Sequence, residues 1–349
     1  MSEDRQAVTD HKRQGPIFVV GIWRSGTSLL YTLLNQHPQI ALMYEGDLFL
    51  LRSLFRGAMR RRGWMERWEF WNNALSRHNI DTQELAEQIP DYPEAATQVW
   101  KQYAGHALYG DKSPNYFDCM QALAREFPNA RFIVIWRDLA DTCRSIVQAS
   151  EGSAFFAKRG MIHRALTGYR KMKRECDALE LKGVPLHQIH YEELVQSPET
   201  VMRGICCFLQ IPFDARMASL QGADRSAIYE APQHAGVKSE TIGLNGKTRT
   251  ALPAGVGEKI ARYVAYWKRK SGGSWPMYPA VAAAKPAGVL ERAADELYFR
   301  ALRTFDRFTA FVYCHAPLSV LRKYRVAKGQ KPMSPAAQSP ALSQASNQN

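Results

Sequence analysis

The chain has 349 residues, of which 46% are hydrophobic, so it can bury at least one large core, and this excludes an unfolded or fibrous protein. Its 46 Lys and Arg exceed its 33 Asp and Glu by 13, an excess of positive charge that favours phosphorylated cofactors, nucleic acid or an anionic membrane as partners. The 6 cysteines include no CxxC pair, and we interpret them as reduced thiols, mostly in the core.

Both ends of the chain have the composition of disordered segments. Residues 1–15 are polar and contain no apolar stretch like that of a secretory signal, so we expect a disordered N-terminus and a cytoplasmic protein. Residues 331–349 lack aromatic and acidic side chains and are also predicted to be disordered.

Strands and helices alternate from Pro16 onwards. Two apolar, β-branched runs, 17–21 and 131–136, read as strands buried on both faces, and each is followed by a helical pattern, over 27–36 and 138–148. Weaker strands are predicted at 107–110 and 187–190, and further helices at 48–62, 94–106, 115–127, 158–180, 198–209 and 257–270. This order predicts an α/β fold, a parallel sheet flanked by helices, with ligands beyond the carboxyl ends of the strands.

The C-terminal part is predicted to contribute loops and a helical extension. Residues 214–253 are rich in Gly, Ser, Thr and Ala and should form loops over the sheet, so the main domain is expected to span 16–285. Residues 286–330 form a basic helical extension in which aromatic and aliphatic side chains lie among arginines. Such a pattern is typical of an amphipathic helix, and peripheral contact with a membrane is a further expectation.

The segment Gly21 to Ser28 (GIWRSGTS) has the glycine spacing of a P-loop between a buried strand and a helix. Its backbone N–H groups and the positive end of the following helix can hold an anionic oxygen cluster. A nucleoside triphosphatase needs Lys directly after the second glycine, Gly26, but Thr27 holds that place and the cation is Arg24. A phosphate group held by an arginine in the middle of the loop, without the usual lysine, need not use Mg²⁺. A simple turn after a strand is the alternative.

The stretch 19–38 (VVGIWRSGTSLLYTLLNQHP) resembles the 5′-phosphosulfate loop of the sulfotransferases that use 3′-phosphoadenosine 5′-phosphosulfate (PAPS). It is most similar to the branch with the tyrosylprotein sulfotransferases and many bacterial enzymes, which carries Arg where the cytosolic branch carries Lys. The resemblance implies PAPS as co-substrate, adenosine 3′,5′-bisphosphate (PAP) as product, and no required metal. It also implies that the phosphosulfate is bound by Arg24, Ser25, Gly26, Thr27 and Ser28.

Two further segments carry the same resemblance. Residues 131–147 are similar to the family's 3′-phosphate segment, with Arg137 and Ser145 at the matching places, where a guanidinium fork and a hydroxyl offer donors. Residues 189–209 look like a third family segment, which implies that Tyr191 lies near the adenine. Arg137 could instead pair with the acidic residues that open the next helix, and Tyr191 could be an ordinary core tyrosine.

The resemblance also implies the catalytic groups. Lys112, in a GDK-Ser-Pro stretch, matches a lysine close to the sulfonate, and Glu45 matches a glutamate that serves as general base. Asp47 is the fallback base. The structural alternative for Lys112 is a solvated lysine, and for Glu45 it is a surface salt bridge. Lys247 and Arg249, in a Gly-rich loop, either close over the 3′-phosphate or belong to a solvated basic loop.

The acceptor is not identified by the sequence. The basic aromatic segment 51–71 directly follows Glu45 and is interpreted as a wall of the acceptor pocket, with a core-facing amphipathic helix as the alternative. The function expected is transfer of a sulfonate from PAPS to a hydroxyl group, without a nucleic-acid partner. The competing hypotheses are a P-loop kinase or nucleotide-binding protein, and a protein that binds nucleic acid or anionic membranes through its charge.

Overall fold

The computed structural model describes residues 15–46, 108–153, 155–157, 160–228, 254–270 and 288–315, with a few single positions beyond them. The predicted helices at 48–62 and 94–106, the basic aromatic segment 51–71 and the predicted disordered tail 331–349 lie outside these residues, as does nearly all of the predicted disordered N-terminus.

The described residues build one parallel sheet of five strands. In chain order these are β1 (Ile17–Gly21), β2 (Ile40–Tyr44), β3 (Leu108–Lys112), β4 (Arg131–Trp136) and β5 (Leu186–His190). Their order in the sheet is β2-β3-β1-β4-β5, and every neighbouring pair is parallel. Because β1 lies at the centre, the chain leaving its carboxyl end is flanked by the ends of β3 and β4.

Helices cover both faces of the sheet, which confirms the predicted fold class. They are α1 (Thr27–Leu34), α2 (Met120–Glu126), α3 (Leu139–Ser150), α4 (Met161–Leu181), α5 (Tyr191–Gln196), α6 (Pro198–Leu209), α7 (Val256–Lys270) and α8 (Val289–His315), with short 3₁₀ helices at Pro114–Asp118 and Ala215–Ala218. Alternate residues of β1 serve the two cores, since Phe18 packs with α2, α3 and α4 whereas Val19 packs with α1 and α6.

The structure adds the unpredicted helices Tyr191–Gln196 and Ala215–Ala218, and it differs from the predicted elements in three further places. β2 was not predicted, although its five residues, IALMY, are all buried. The helix predicted over 115–127 is divided into a 3₁₀ helix, which Ser113 caps by accepting from the Asn115 N–H, and α2. The weak strand at 107–110 continues to Lys112, so this lysine lies within the sheet. Local patterns fail here because sheet pairing with distant segments decides where these elements begin and end.

The cysteines behave as predicted within the described part of the chain. Five are free thiols, four of them buried, and Cys207 is exposed. Burial raises the pKa of the Cys143 thiol to about 12, so this side chain stays protonated at neutral pH and packs as an apolar group.

Candidate active site

The loop between β1 and α1 is shaped by two left-handed residues. Arg24 has φ 70° and Gly26 has φ 101°, and the Ser25 N–H donates to the Ile22 carbonyl at 3.0 Å. A Cβ atom on Gly26 would lie 2.3 Å from the ring of Tyr191, so only glycine satisfies both the backbone angle and the space. The sequence places this glycine where the fold requires it.

The loop and its surroundings hold polar atoms without partners. In the described part of the chain no side chain caps the start of α1, which leaves the first-turn N–H groups available to an external acceptor. Ser25 Oγ and Arg137 Nε are buried and make no hydrogen bond with any described residue. Because buried polar groups are rarely left unpaired, these donors can serve an anion, and phosphate oxygens fit them.

Arg137 is fixed at the carboxyl end of β4 by the loop and by an aromatic ring. Its Nη1 donates to the Arg24 carbonyl at 2.8 Å, and its guanidinium carbon lies 4.3 Å from the centre of the Tyr191 ring. The alternative ion pair is wrong: Asp138 caps α3 by accepting from the Asp141 N–H, and Asp141 pairs with Arg144. Tyr191 is therefore a ring packed between the loop and Arg137.

The side chain of Arg24 points towards α3. Its Nε donates to Ser145 Oγ at 3.0 Å, so the loop cation contacts the hydroxyl that was predicted to bind the 3′-phosphate. The Arg24 guanidinium carbon also lies 6.0 Å from the centre of the Phe156 ring. Trp23, next to it in the loop, packs edge-on against Phe117 and Phe155. Aromatic side chains thus border the loop cation.

On the other side of the loop, Lys112 and Glu45 form an ion pair. Lys112 Nζ lies 2.7 Å from Glu45 Oε1 and 3.7 Å from the centre of the Tyr44 ring. The lysine side chain is fully buried and the glutamate side chain is 15% exposed. The alternatives of a solvated lysine and a surface salt bridge are therefore wrong. A buried ion pair is weak evidence for stability, and this one lies at the carboxyl end of β3, where ligands of parallel sheets bind.

Two backbone contacts set the position of Glu45. Its N–H donates to the Lys112 carbonyl at 2.8 Å, and its own φ is 52°, in the left-handed region. The next N–H, of Gly46, donates to the buried Asp111 carboxylate at 3.2 Å, and the Tyr116 hydroxyl donates to the same carboxylate. Asp111 thus holds the turn that carries Glu45. Sequence reasoning missed this group, because its signal is a contact across the sheet.

Tyr44 joins the ion pair to the loop. Its hydroxyl lies 2.8 Å from Ser28 Oγ in α1, while its ring contacts Lys112. The predicted residues Arg24 to Ser28, Glu45, Lys112, Arg137, Ser145 and Tyr191 thus lie around one loop. Tyr44 itself was missed, and the apolar run of β2 ending in Tyr-Glu-Gly was the signal that could have found it.

Other predicted groups lie elsewhere. Lys247, Arg249 and Asp47 fall outside the described residues. His187, at the β5 edge of the sheet and not among the predicted groups, stacks on Phe208 with ring centres 5.2 Å apart, and burial lowers its pKa. Within the ranges that the structure describes, no cluster of His, Cys, Asp and Glu is arranged to hold a metal ion.

The chain is similar to known proteins over the region of this site. A family model described as "Sulfotransferase family" matches residues 16–215. Protein-tyrosine sulfotransferase A of Caenorhabditis elegans is 27% identical over 218 residues, which are 59% of this chain and 53% of that protein. Protein-tyrosine sulfotransferase 1 of Danio rerio is 27% identical over 204 residues, 57% of this chain and 54% of that protein. The chain thus spans about half the length of these two relatives.

A solved structure shows the same fold. The sulfotransferase domain from the curacin biosynthetic pathway superimposes with a TM-score of 0.52 at 20% sequence identity, covering 75% of this chain and 99% of that domain. At this identity the similarity concerns the fold, in which the parallel sheet carries helices on both faces.

Proposed function

Because this chain belongs to the sulfotransferase family, we propose that it transfers a sulfonate group from PAPS to the hydroxyl group of an acceptor. PAPS supplies a sulfonate already bonded to a phosphate leaving group. The observation that carries the proposal is the buried Lys112–Glu45 pair beside an uncapped phosphate loop. This arrangement supports a transfer reaction because it combines an anion site, two cations and a proton acceptor.

The two phosphate ends of the nucleotide call for two groups of donors. The 5′-phosphate suits the first-turn amides of α1 together with the side chains of Ser25 and Arg24. Ser28 adds a hydroxyl. Arg137 and Ser145, on the β4 side of the loop, suit the 3′-phosphate, and Tyr191 offers a ring edge for the adenine. The unpartnered Arg137 Nε supports this assignment, since a phosphate oxygen supplies the missing acceptor.

Three side chains divide the chemistry. Glu45 accepts the proton of the acceptor hydroxyl as the new oxygen–sulfur bond forms. Lys112, held against Glu45, neutralises charge on the sulfonate, and Arg24 stabilises the phosphate oxygen whose bond to sulfur breaks. In-line transfer of this kind needs positioning and charge neutralisation more than covalent chemistry, which agrees with a site built from fixed cations.

The aromatic residues beside Arg24 favour an acceptor with a planar body. Trp23, Phe155 and Phe156 border the cation, and Phe155 is 37% exposed. The C. elegans and D. rerio relatives are described as protein-tyrosine sulfotransferases. We therefore place phenolic hydroxyls, tyrosine in peptides included, first in an acceptor screen with labelled PAPS, ahead of glycan, lipid and small aliphatic hydroxyls.

Calorimetric titration separates this proposal from a kinase or nucleotide-binding role. We expect the protein to bind PAP without metal and to bind ATP with Mg²⁺ much more weakly, because Thr27 occupies the place of the P-loop lysine. Tighter binding of ATP in the presence of Mg²⁺ contradicts the proposal. Strong salt-dependent binding of nucleic acid with no response to PAP contradicts it in favour of a charge-driven binding protein.

Replacing Arg24 tests the loop itself. In Arg24→Ala, turnover should be lost and PAP affinity should fall by about 10-fold or more, since a charge-assisted contact to phosphate is removed. The control is Arg216→Ala, which removes an exposed arginine paired with Asp214 and should leave both quantities unchanged. Equal PAP affinity in the two variants argues against a phosphate at the loop.

A further inference from the structure

Helix α8 is attached to the body of the protein along one side. Phe299 is 3% exposed, and its ring stacks on Tyr266 of α7 with centres 4.2 Å apart. The Tyr266 hydroxyl donates to Glu296 at 3.0 Å, and Arg262 lies over the Tyr298 ring. These contacts fix which side of α8 faces inwards.

The opposite side of α8 is apolar and exposed. At 100° per residue, Leu290 and Phe308 lie half a turn away from Phe299. We define the α8 stripe as Leu290, Ala294, Leu297, Ala301, Phe305 and Phe308. The large side chains of this stripe are strongly exposed, at 86% for Leu290, 72% for Leu297 and 62% for each phenylalanine.

Exposed large hydrophobic side chains are concentrated in this region. Of those found in the described ranges, all except Phe155 and Leu181 lie on α8 or at Val320 shortly after it. Scattered single apolar residues are normal on a surface, but a contiguous stripe indicates an interaction surface. Among the helices of these ranges, none has the length and hydropathy needed to cross a bilayer.

The charge of the following segment indicates what covers the stripe. No acidic residue follows Asp306, whereas Arg322, Lys323, Arg325 and two more lysines lie between 316 and 331. Lys323 is exposed. An apolar helix face next to a cluster of basic residues is complementary to a lipid surface with negative headgroups. Such a surface buries the apolar face and neutralises the basic residues.

We propose that the α8 stripe and the basic segment 322–331 bind the surface of an anionic lipid bilayer. The stripe lies at the boundary of headgroups and acyl chains, and the basic residues contact the headgroups. A parallel pairing of two α8 helices buries the same stripe but brings two basic segments together without neutralising them, which disfavours this arrangement of two copies.

Sedimentation of the full chain with vesicles tests the proposal. We expect binding to vesicles of phosphatidylcholine with added phosphatidylserine, little binding to phosphatidylcholine alone, and weaker binding at high salt. Phe305→Ser with Phe308→Ser should lower vesicle binding by at least about tenfold. Leu181→Ser, which removes a side chain 89% exposed at the end of α4, is the matched control and should bind like the unchanged protein.

A second variant tests the charges separately. Changing Arg322, Lys323 and Arg325 to Gln should weaken binding to the anionic vesicles by at least about tenfold and flatten its salt dependence. The proposal is overturned if the unchanged protein stays in the supernatant, or if the two-serine variant binds as well as Leu181→Ser. It is also overturned if light scattering without lipid shows a dimer that the two serines dissociate. Circular dichroism checks that each variant is folded.

Discussion

The two sides of the phosphate loop differ in how many of their polar groups already have partners. On the β2–β3 side, Glu45 and Lys112 are paired with each other, and Tyr44 contacts both Lys112 and Ser28. On the β4 side, Arg137 Nε has no hydrogen-bond partner among the described residues, and neither has Ser25 Oγ in the loop. One side therefore has its cation and carboxylate already paired, whereas the other keeps donors that a ligand can satisfy. This difference agrees with the proposed division between a chemical role and a binding role.

The largest effect is expected from Glu45→Gln. It keeps the size of the side chain and a hydrogen bond to Lys112 but removes the proton acceptor, so turnover should fall by about 100- to 10,000-fold. PAP affinity, measured by calorimetry, should change by less than about threefold because the proposal gives Glu45 no contact with the nucleotide phosphates. Glu199→Gln, in an exposed pair with Arg203, is the control. Near-normal turnover in Glu45→Gln would show that another group is the base.

Lys112→Met tests whether the pair acts as one unit. We expect turnover to fall by at least about 100-fold, and the double variant with Glu45→Gln to lose little more than either single change. Lys171→Met is the matched control, since it breaks a pair with Asp118 in which both side chains are about one third exposed. Fully additive losses in the double variant contradict a shared role.

Arg137→Met tests the other side. Loss of its charge-assisted donors should raise the dissociation constant of PAP by about 10- to 100-fold, with a much smaller change in turnover at saturating PAPS. Arg203→Met is a close control. Its guanidinium carbon lies 4.1 Å from the centre of the Phe213 ring, much as that of Arg137 lies over the Tyr191 ring, but Arg203 is not part of the loop site. Equal PAP affinities in both variants argue against a phosphate at Arg137.

The smallest effect is expected at the link between the two sides. Tyr44→Phe keeps the ring against Lys112 but removes the hydroxyl that lies 2.8 Å from Ser28 Oγ, so the free energy of unfolding should fall by about 1 kcal/mol. Turnover should fall by less than about fivefold. Ser28→Ala removes the other partner, and denaturant unfolding of both single variants and the double one measures their coupling. Additive losses would show that the two hydroxyls act independently.

The sequence predicts the two sides unequally well. The loop, Arg137 and Ser145 lie on continuous strand–loop–helix segments, so local spacing is enough to predict the elements that carry them. Asp111, which accepts from the nearby Tyr116 hydroxyl, acts on Gly46 in a distant segment, and Tyr44 contacts Ser28 of another element. The apolar run of β2 was not interpreted as a strand, and its pairing with β3 defines it as one. Glu45 was found through resemblance, but its burial against Lys112 depends on that pairing. The roles of all these residues stay predictions, as do those of Lys247 and Arg249.

The left-handed backbone at Arg24 restricts which residues this position accepts. The conformation costs an ordinary L-residue about 1 to 2 kcal/mol, so alanine, lysine and arginine carry nearly the same penalty. Asparagine or glycine relieves it, whereas branching at Cβ, as in valine or threonine, increases it. Replacement by glycine therefore removes the cation while easing the turn, and such a variant can fold well yet be inactive. A screen for stability alone will not detect the importance of this position.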